Sequence, residues 1–218
     1  MLVIGVAGGV ACGKSMVAGQ FGRLGAAVLN ADEIGHEVLR LEIVKQAVKE
    51  EFGDSVFDVE GEIDRPRLGT VVFDSDDDAL KRLEQITHPE IRRQMLQQLN
   101  QLDHDGRTGI VVLDVPLLFE SGYDRLCDKL VFVDVPEAVR VARAMESRGW
   151  DGNEISQREA KQMPLAEKKR RCNELIDNSG STGETFEQVK ALWRKWGLHS
   201  SEAADGGFPD SRETDVRQ

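Results

Sequence analysis

The chain opens on Leu2-Val3-Ile4-Gly5-Val6-Ala7 followed by Gly8-Gly9-Val10-Ala11-Cys12-Gly13-Lys14-Ser15. The second stretch has the form G-x-x-x-x-G-K-[ST]. It stands between an apolar run that reads as a buried strand and a helical start at Met16-Val17-Ala18. Glycines let a backbone curl until successive N–H groups converge on phosphate oxygens, and a helix starting near Lys14 adds its positive dipole end. The chemistry expected of residues 8–16 is therefore nucleoside triphosphate binding. Lys14 would reach the β- and γ-phosphates, and the Ser15 hydroxyl would sit on Mg2+. Cys12 lies inside this loop, where a thiol adduct would crowd the phosphates.

Two carboxylates stand at strand ends. Asp32 follows the second strand in Leu29-Asn30-Ala31-Asp32, at the edge where parallel α/β sheets bind ligands. There it can take the proton of an attacking hydroxyl or hold Mg2+ through water; the alternative is a helix N-cap. Asp114 closes Ile110-Val111-Val112-Leu113-Asp114, as a carboxylate near a metal would, with a turn residue before Pro116 as the alternative. Arg140, Arg143 and Arg148 follow the fourth strand. Guanidinium groups suit a transferring phosphoryl group, although Arg140 reads as part of a solvated helix face. The run Lys168-Lys169-Arg170-Arg171 reads the same way. Pro116-Leu117-Leu118-Phe119-Glu120 places apolar groups in a strand-end loop, either to wall a ligand pocket or to pack under a helix. His88-Pro89 falls in a helical pattern that the proline is expected to break.

The elements that must position these residues follow from hydrophobic runs. Strands are expected at residues 2–7, 27–30, 110–114, 130–135 and 174–177. Their hydrophobicity is continuous rather than alternating, which implies a parallel sheet covered by helices on both faces, an α/β fold. A long helical excursion, residues 34–104, separates the second and third strands, with pieces at 33–40, 43–52, 66–73 and 77–102; it is a candidate acceptor-binding insertion. A charged excursion of about 147–170 separates the fourth and fifth strands, and a last helix starts at Ser181 or Thr182 with Glu184 as capping partner. Residues 74–78 read as an acidic loop and helix start, and residues 198–218 as a disordered tail.

Composition narrows the class. With 218 residues the chain fits one domain, and its net charge of -11 argues against general nucleic-acid binding. Cys12, Cys127 and Cys172 form neither a disulfide frame nor a zinc pattern. No run approaches eighteen apolar residues and no charged leader precedes the first strand, so a cytoplasmic protein without membrane contact is expected.

Taken together, the stretches resemble the dephospho-CoA kinase family over roughly residues 1–196. The resemblance runs through the phosphate loop, Ala31-Asp32, Asp64-Arg65, Leu68-Gly69, Val72-Phe73 and Leu83-Glu84-Gln85-Ile86-Thr87-His88-Pro89. It continues in Asp114-Val115-Pro116-Leu117-Leu118-Phe119-Glu120 and Ile176-Asp177-Asn178-Ser179-Gly180. It implies a P-loop kinase fold: five parallel strands flanked by helices, with a helical acceptor-binding insertion and a lid. The implied reaction is phosphorylation of the ribose 3'-hydroxyl of dephospho-CoA by ATP with Mg2+, giving CoA and ADP, the last step of CoA synthesis. Asp32 would be base or orienter, with Lys14, Arg143 and Arg148 assisting the transfer and Ser15 and Asp114 at the metal. Arg65, His88, Pro89, Leu117, Leu118 and Glu120 would line the dephospho-CoA site with Asp32, and Asn178 would lie near adenine. Where the family usually reads Asp-Ala-Asp this chain has Asn30-Ala31-Asp32, so the first carboxylate is lost; Cys172-Asn173 stands where Ala-Asp is common. Another small-metabolite or nucleoside kinase remains as the alternative. A GTPase-like switch is a second, but its Asn-Lys-x-Asp and post-strand Asp-x-x-Gly motifs are missing.

Overall fold

A computed structural model describes residues 1–74, 78–106 and 109–198. Five parallel strands form one sheet: β1 (Leu2–Gly8), β2 (Ala27–Asn30), β3 (Ile110–Asp114), β4 (Lys129–Asp134) and β5 (Glu174–Asp177), in the order β2-β3-β1-β4-β5. Every strand lies within one residue of its sequence expectation. The reason for their unbroken hydrophobicity is visible in β1 and β3. Val3, Ala7, Val111 and Leu113 enter one core cluster, while Ile4, Val6 and Val112 enter a second on the opposite face.

Helices cover both faces. α1 (Lys14–Arg23) and α9 (Thr182–Lys195) close the second cluster, where Phe21 stacks on Trp196 at 5.9 Å between ring centroids and packs beside the buried Trp193. The expected capping box starts α9: Ser181 accepts from the Glu184 N–H, and the Glu184 carboxylate accepts from the Ser181 N–H. The first cluster is filled from α2 (Ala31–Val38), α3 (Glu42–Phe52), α4 (Arg65–Asp74) and α5 (Ala79–Asp105), the helical excursion between β2 and β3. Between β4 and β5 come α6 (Glu137–Arg148), α7 (Gly152–Ala160) and α8 (Leu165–Arg171).

One expectation is corrected. Pro89 does not break its helix: α5 runs unbroken from Ala79 to Asp105. The proline removes one backbone donor, but it faces solvent, and Ala79, Thr87, Met95 and Leu99 bury the other side of the helix along its length. The Thr87 hydroxyl also donates to the Leu83 carbonyl at 2.9 Å. Residues 75–77 of the acidic run and residues 199–218 of the tail lie outside the described residues. No helix among the described residues is long and apolar enough to cross a membrane.

Candidate active site

The strand order places the carboxyl ends of β1 and β3 side by side, with β2 beyond β3, so the phosphate loop, Asp114 and Asn30 share one edge of the sheet. The loop after β1 turns through two left-handed residues, Ala11 at φ 57 and Gly13 at φ 87, and α1 begins at Lys14. A side chain at Gly13 would be strained by that φ, and its Cβ would also lie 2.5 Å from the Asn178 amide. Asn178 is 2% exposed; its Nδ2 donates to the Cys12 carbonyl at 2.8 Å and its Oδ1 accepts from the Thr185 hydroxyl at 2.8 Å. The amide is engaged at both ends, so Asn178 braces the phosphate loop from behind. Lys14 folds over the loop, with Nζ donating to the Gly9 carbonyl at 3.0 Å. The first-turn N–H groups of α1 have no acceptor inside the helix, which is the physical basis for an anion at this point. Cys12 is 1% exposed, and burial pushes its thiol up despite the nearby Lys14 charge. Its position in the loop therefore does not make it a reactive thiolate.

The ends of β2 and β3 meet through an amide and a carboxylate. Asn30 and Asp114 are register partners, and Asn30 Nδ2 donates to Asp114 Oδ2 at 3.1 Å. Asp114 is 4% exposed. Burial pushes its carboxyl up, opposed by the nearby Ser15 side chain and the Lys14 charge and reinforced by Asp32 and Glu33. The cap of α2 is Asn30, whose Oδ1 accepts from the N–H groups of Asp32 at 2.8 Å and Glu33 at 3.2 Å. The capping alternative for Asp32 is overturned; its carboxylate stands exposed in the first turn of α2.

Arg140 is the largest correction. It is 4% exposed rather than solvated: its guanidinium donates to the Val10 carbonyl at 3.2 Å and pairs with Glu159 of α7. The same carboxylate accepts from the Val10 N–H at 2.9 Å, so Arg140 and Glu159 together grip the tip of the phosphate loop. A Cβ on Gly9 would fall 2.8 Å from both side chains. Neither role has a local signature, because Glu159 and Val10 lie 149 residues apart in the chain. Arg143 lies three residues beyond Arg140, on the same side of α6 and half-buried. Arg148 lies over the Trp150 ring at 4.8 Å, with Arg158 over the same ring at 3.8 Å.

In the helices between β2 and β3, Arg65 donates to His36 Nε2 at 2.6 Å beside an open groove of about 590 Å³ lined by Ile63, Asp64, Arg65 and Pro66. A guanidinium only donates, so His36 Nε2 is the acceptor in this contact. His36 stands four residues after Asp32 on one face of α2, a relation that the sequence reading missed although the spacing shows it. His88 and Pro89 are exposed on α5. Leu117 is half-buried, but Leu118 is 2% exposed and packs in the core, against Gly5, rather than lining an open pocket. Glu120 accepts from the Met163 N–H at 2.8 Å and pairs at 2.9 Å with Lys168, itself 2% exposed. Within the basic run only Lys168 leaves the expected solvated face: Lys169, Arg170 and Arg171 are exposed, with Lys169 paired to Asp134 at 2.6 Å and Arg171 to Asp124 at 3.2 Å.

Comparison with known proteins agrees with this geometry. The sequence model of the family described as dephospho-CoA kinase matches residues 2–184. The dephospho-CoA kinase of Geobacillus kaustophilus is 39% identical over 89% of this chain and 96% of its own length, and that of Bacillus licheniformis 40% over the same shares. Among solved structures, a Thermus thermophilus protein superposes with a TM-score of 0.71 at 34% identity over 89% of this chain and 97% of its own. The dephospho-CoA kinase of Campylobacter jejuni superposes with 0.67 at 27% identity over 89% and 96%. With the phosphate loop, the strand-end carboxylates and the five-stranded order all in place, the chain belongs to the dephospho-CoA kinase family.

Proposed function

We propose that this chain carries out the reaction of its family, transfer of the γ-phosphoryl group of ATP to the ribose 3'-hydroxyl of dephospho-CoA, through the following residues. The observation that supports the assignment is the Asn30 cap: it takes the capping role that Asp32 could have had, leaves the Asp32 carboxylate exposed, and ties the Asp32 backbone N–H to the residue that also holds Asp114. Asp32 takes the proton of the 3'-hydroxyl as its oxygen bonds to the γ-phosphorus; the bond from that phosphorus to the bridging oxygen breaks, and ADP leaves. Phosphoryl transfer asks mainly for positioning and charge stabilisation. Lys14 and the first-turn amides of α1 supply these at the phosphates, and Arg143 from α6.

The Ser15 hydroxyl and the Asp114 carboxylate are hard oxygen donors and fit Mg2+. Among the described residues no three His, Cys, Asp or Glu side chains cluster as a metal cage, which suits an ion brought in with the nucleotide. Bound there, Mg2+ would offset phosphate charge. The helices between β2 and β3 form the acceptor side, with Arg65, His88, Pro89 and Leu117 as its contacts. Leu118 and Glu120 support that side from the core and from the Lys168 pair. Residues of about 147–170, with α7 at their centre, are the lid, which excludes water and so limits ATP hydrolysis.

Asp32→Asn tests the base. Turnover with dephospho-CoA is expected to fall at least about 100-fold, while the ATP dissociation constant, read by calorimetry, changes little. Turnover near that of the parent would remove Asp32 from the chemistry.

A further inference from the structure

Asn30 touches both the Asp114 carboxylate and the helix start that carries Asp32. One planar amide at the end of β2 makes three hydrogen bonds. Nδ2 donates to Asp114, and Oδ1 accepts from the N–H groups of Asp32 and Glu33. The orientation of the amide is fixed by its partners, because a flipped Asn30 would set its oxygen against a carboxylate and its NH2 against two N–H donors. Asp114 ends β3 beside the phosphate loop that closes β1. The amide therefore joins the nucleotide side of the site, through Asp114, to the helix start that carries Asp32.

We propose that Asn30 is a positioning residue for the transfer: it locks Asp114 and the first turn of α2 into one rigid unit before nucleotide and acceptor arrive. An aspartate at this place would cap α2 equally well, since Asn, Asp and Ser are comparable caps, but it would set a second negative charge against Asp114. That pair would need a cation between the carboxylates to hold the same geometry. The amide holds it with none. The inference rests on the reading of Asp32 as the base, and it separates from that reading in the experiment.

Three variants of the full chain distinguish positioning from capping. Asn30→Ser keeps a cap but is one atom too short to reach Asp114. Its melting temperature is expected to stay within about 2 °C of the parent, while kcat falls about tenfold and the KM values for ATP and dephospho-CoA change less than about twofold. Asn30→Ala loses both functions, so kcat falls as far and the melting temperature falls as well. Asn30→Asp is expected to melt below the parent in EDTA and to recover on adding Mg2+ without nucleotide, a response the parent lacks.

A parental kcat in Asn30→Ser, with only Asn30→Ala impaired, would reduce Asn30 to a helix cap and overturn the proposal. So would an Asn30→Asp protein as stable as the parent in EDTA. ADP formation without acceptor, which does not need Asp32, is measured on the same variants. If Asp32→Asn turns over normally, the base reading falls; loss of acceptor-free ADP formation in Asn30→Ser would still uphold Asn30, and its retention would overturn it.

Discussion

Gly13 shows how much one residue can be asked to do. It takes φ 87 so that the chain can leave the phosphate loop and enter α1, and it leaves room for the Asn178 amide that braces the loop. Gly13→Ala meets both obstacles. We expect a stability loss of about 1–3 kcal/mol from the left-handed strain, read as an earlier thermal transition, and ATP affinity weakened about tenfold as the loop amides shift. Parental ATP affinity in a folded Gly13→Ala protein would contradict the tight loop described above. Residues of this kind are legible in the sequence, because G-x-x-x-x-G-K-[ST] is a local constraint on backbone and charge. The residues that support the loop are not legible. Asn178 and Cys12 lie 166 residues apart, and Arg140 and Val10 lie 130 apart. Only the folded chain brings a brace to a loop, so Arg140 reads from sequence as one more charge on a helix. Asn30 lies between these cases: its contact with Asp32 and Glu33 is local, but its contact with Asp114 spans 84 residues.

Among the elements, the strands and most helices follow from hydrophobic pattern and caps, and α5 shows where pattern reasoning overreaches. A proline costs a helix one hydrogen bond, but packing on both sides of Pro89 carries the helix past it. The segment between β4 and β5 has a charged composition that conceals its buried contacts. Lys168 and Glu120 tie the strand-end loop to α8, and Trp150 lies between Arg148 and Arg158 at the start of α7.

Two predictions belong to these elements. Although burial alone would raise it, Glu120 is held below the usual glutamate range by Lys168 and by the N–H of Met163. A depressed carboxyl contributes stability above its unfolded value, near 4.5, and that contribution is lost as pH falls through the folded value. Glu120→Gln should therefore be less stable than the parent at neutral pH, with the gap closing below about pH 4.5 in chemical unfolding curves; a gap independent of pH would contradict the ion pair. If α7 closes over the site as the proposed lid, its movement should disturb the arginines on Trp150. Tryptophan emission should change when ATP and dephospho-CoA bind, and Trp150→Phe should abolish most of that change. A full change in Trp150→Phe would show that the stack does not report on the lid.

For the whole molecule, the strand order β2-β3-β1-β4-β5 is what turns separate motifs into a site. It brings the phosphate loop, Asp114 and Asn30 to one edge, with the helices between β2 and β3 following directly on Asn30 and α7, between β4 and β5, against the loop tip. The sequence reading found the strands and their parallel character, since burial on both faces leaves an unbroken apolar run. The path of side chains between elements was beyond it, because ion pairs such as Arg140 with Glu159 depend on how helices dock rather than on what each helix contains. The account as a whole claims that this edge transfers the γ-phosphoryl group of ATP to one kind of acceptor. The direct test is to incubate the purified chain with Mg-ATP and dephospho-CoA, and in parallel with adenosine or shikimate, and to quantify CoA and ADP by chromatography and mass spectrometry. The account predicts CoA and ADP in equal amounts with dephospho-CoA and no transfer to the other two. ADP without CoA, or transfer to adenosine at a comparable rate, would contradict it.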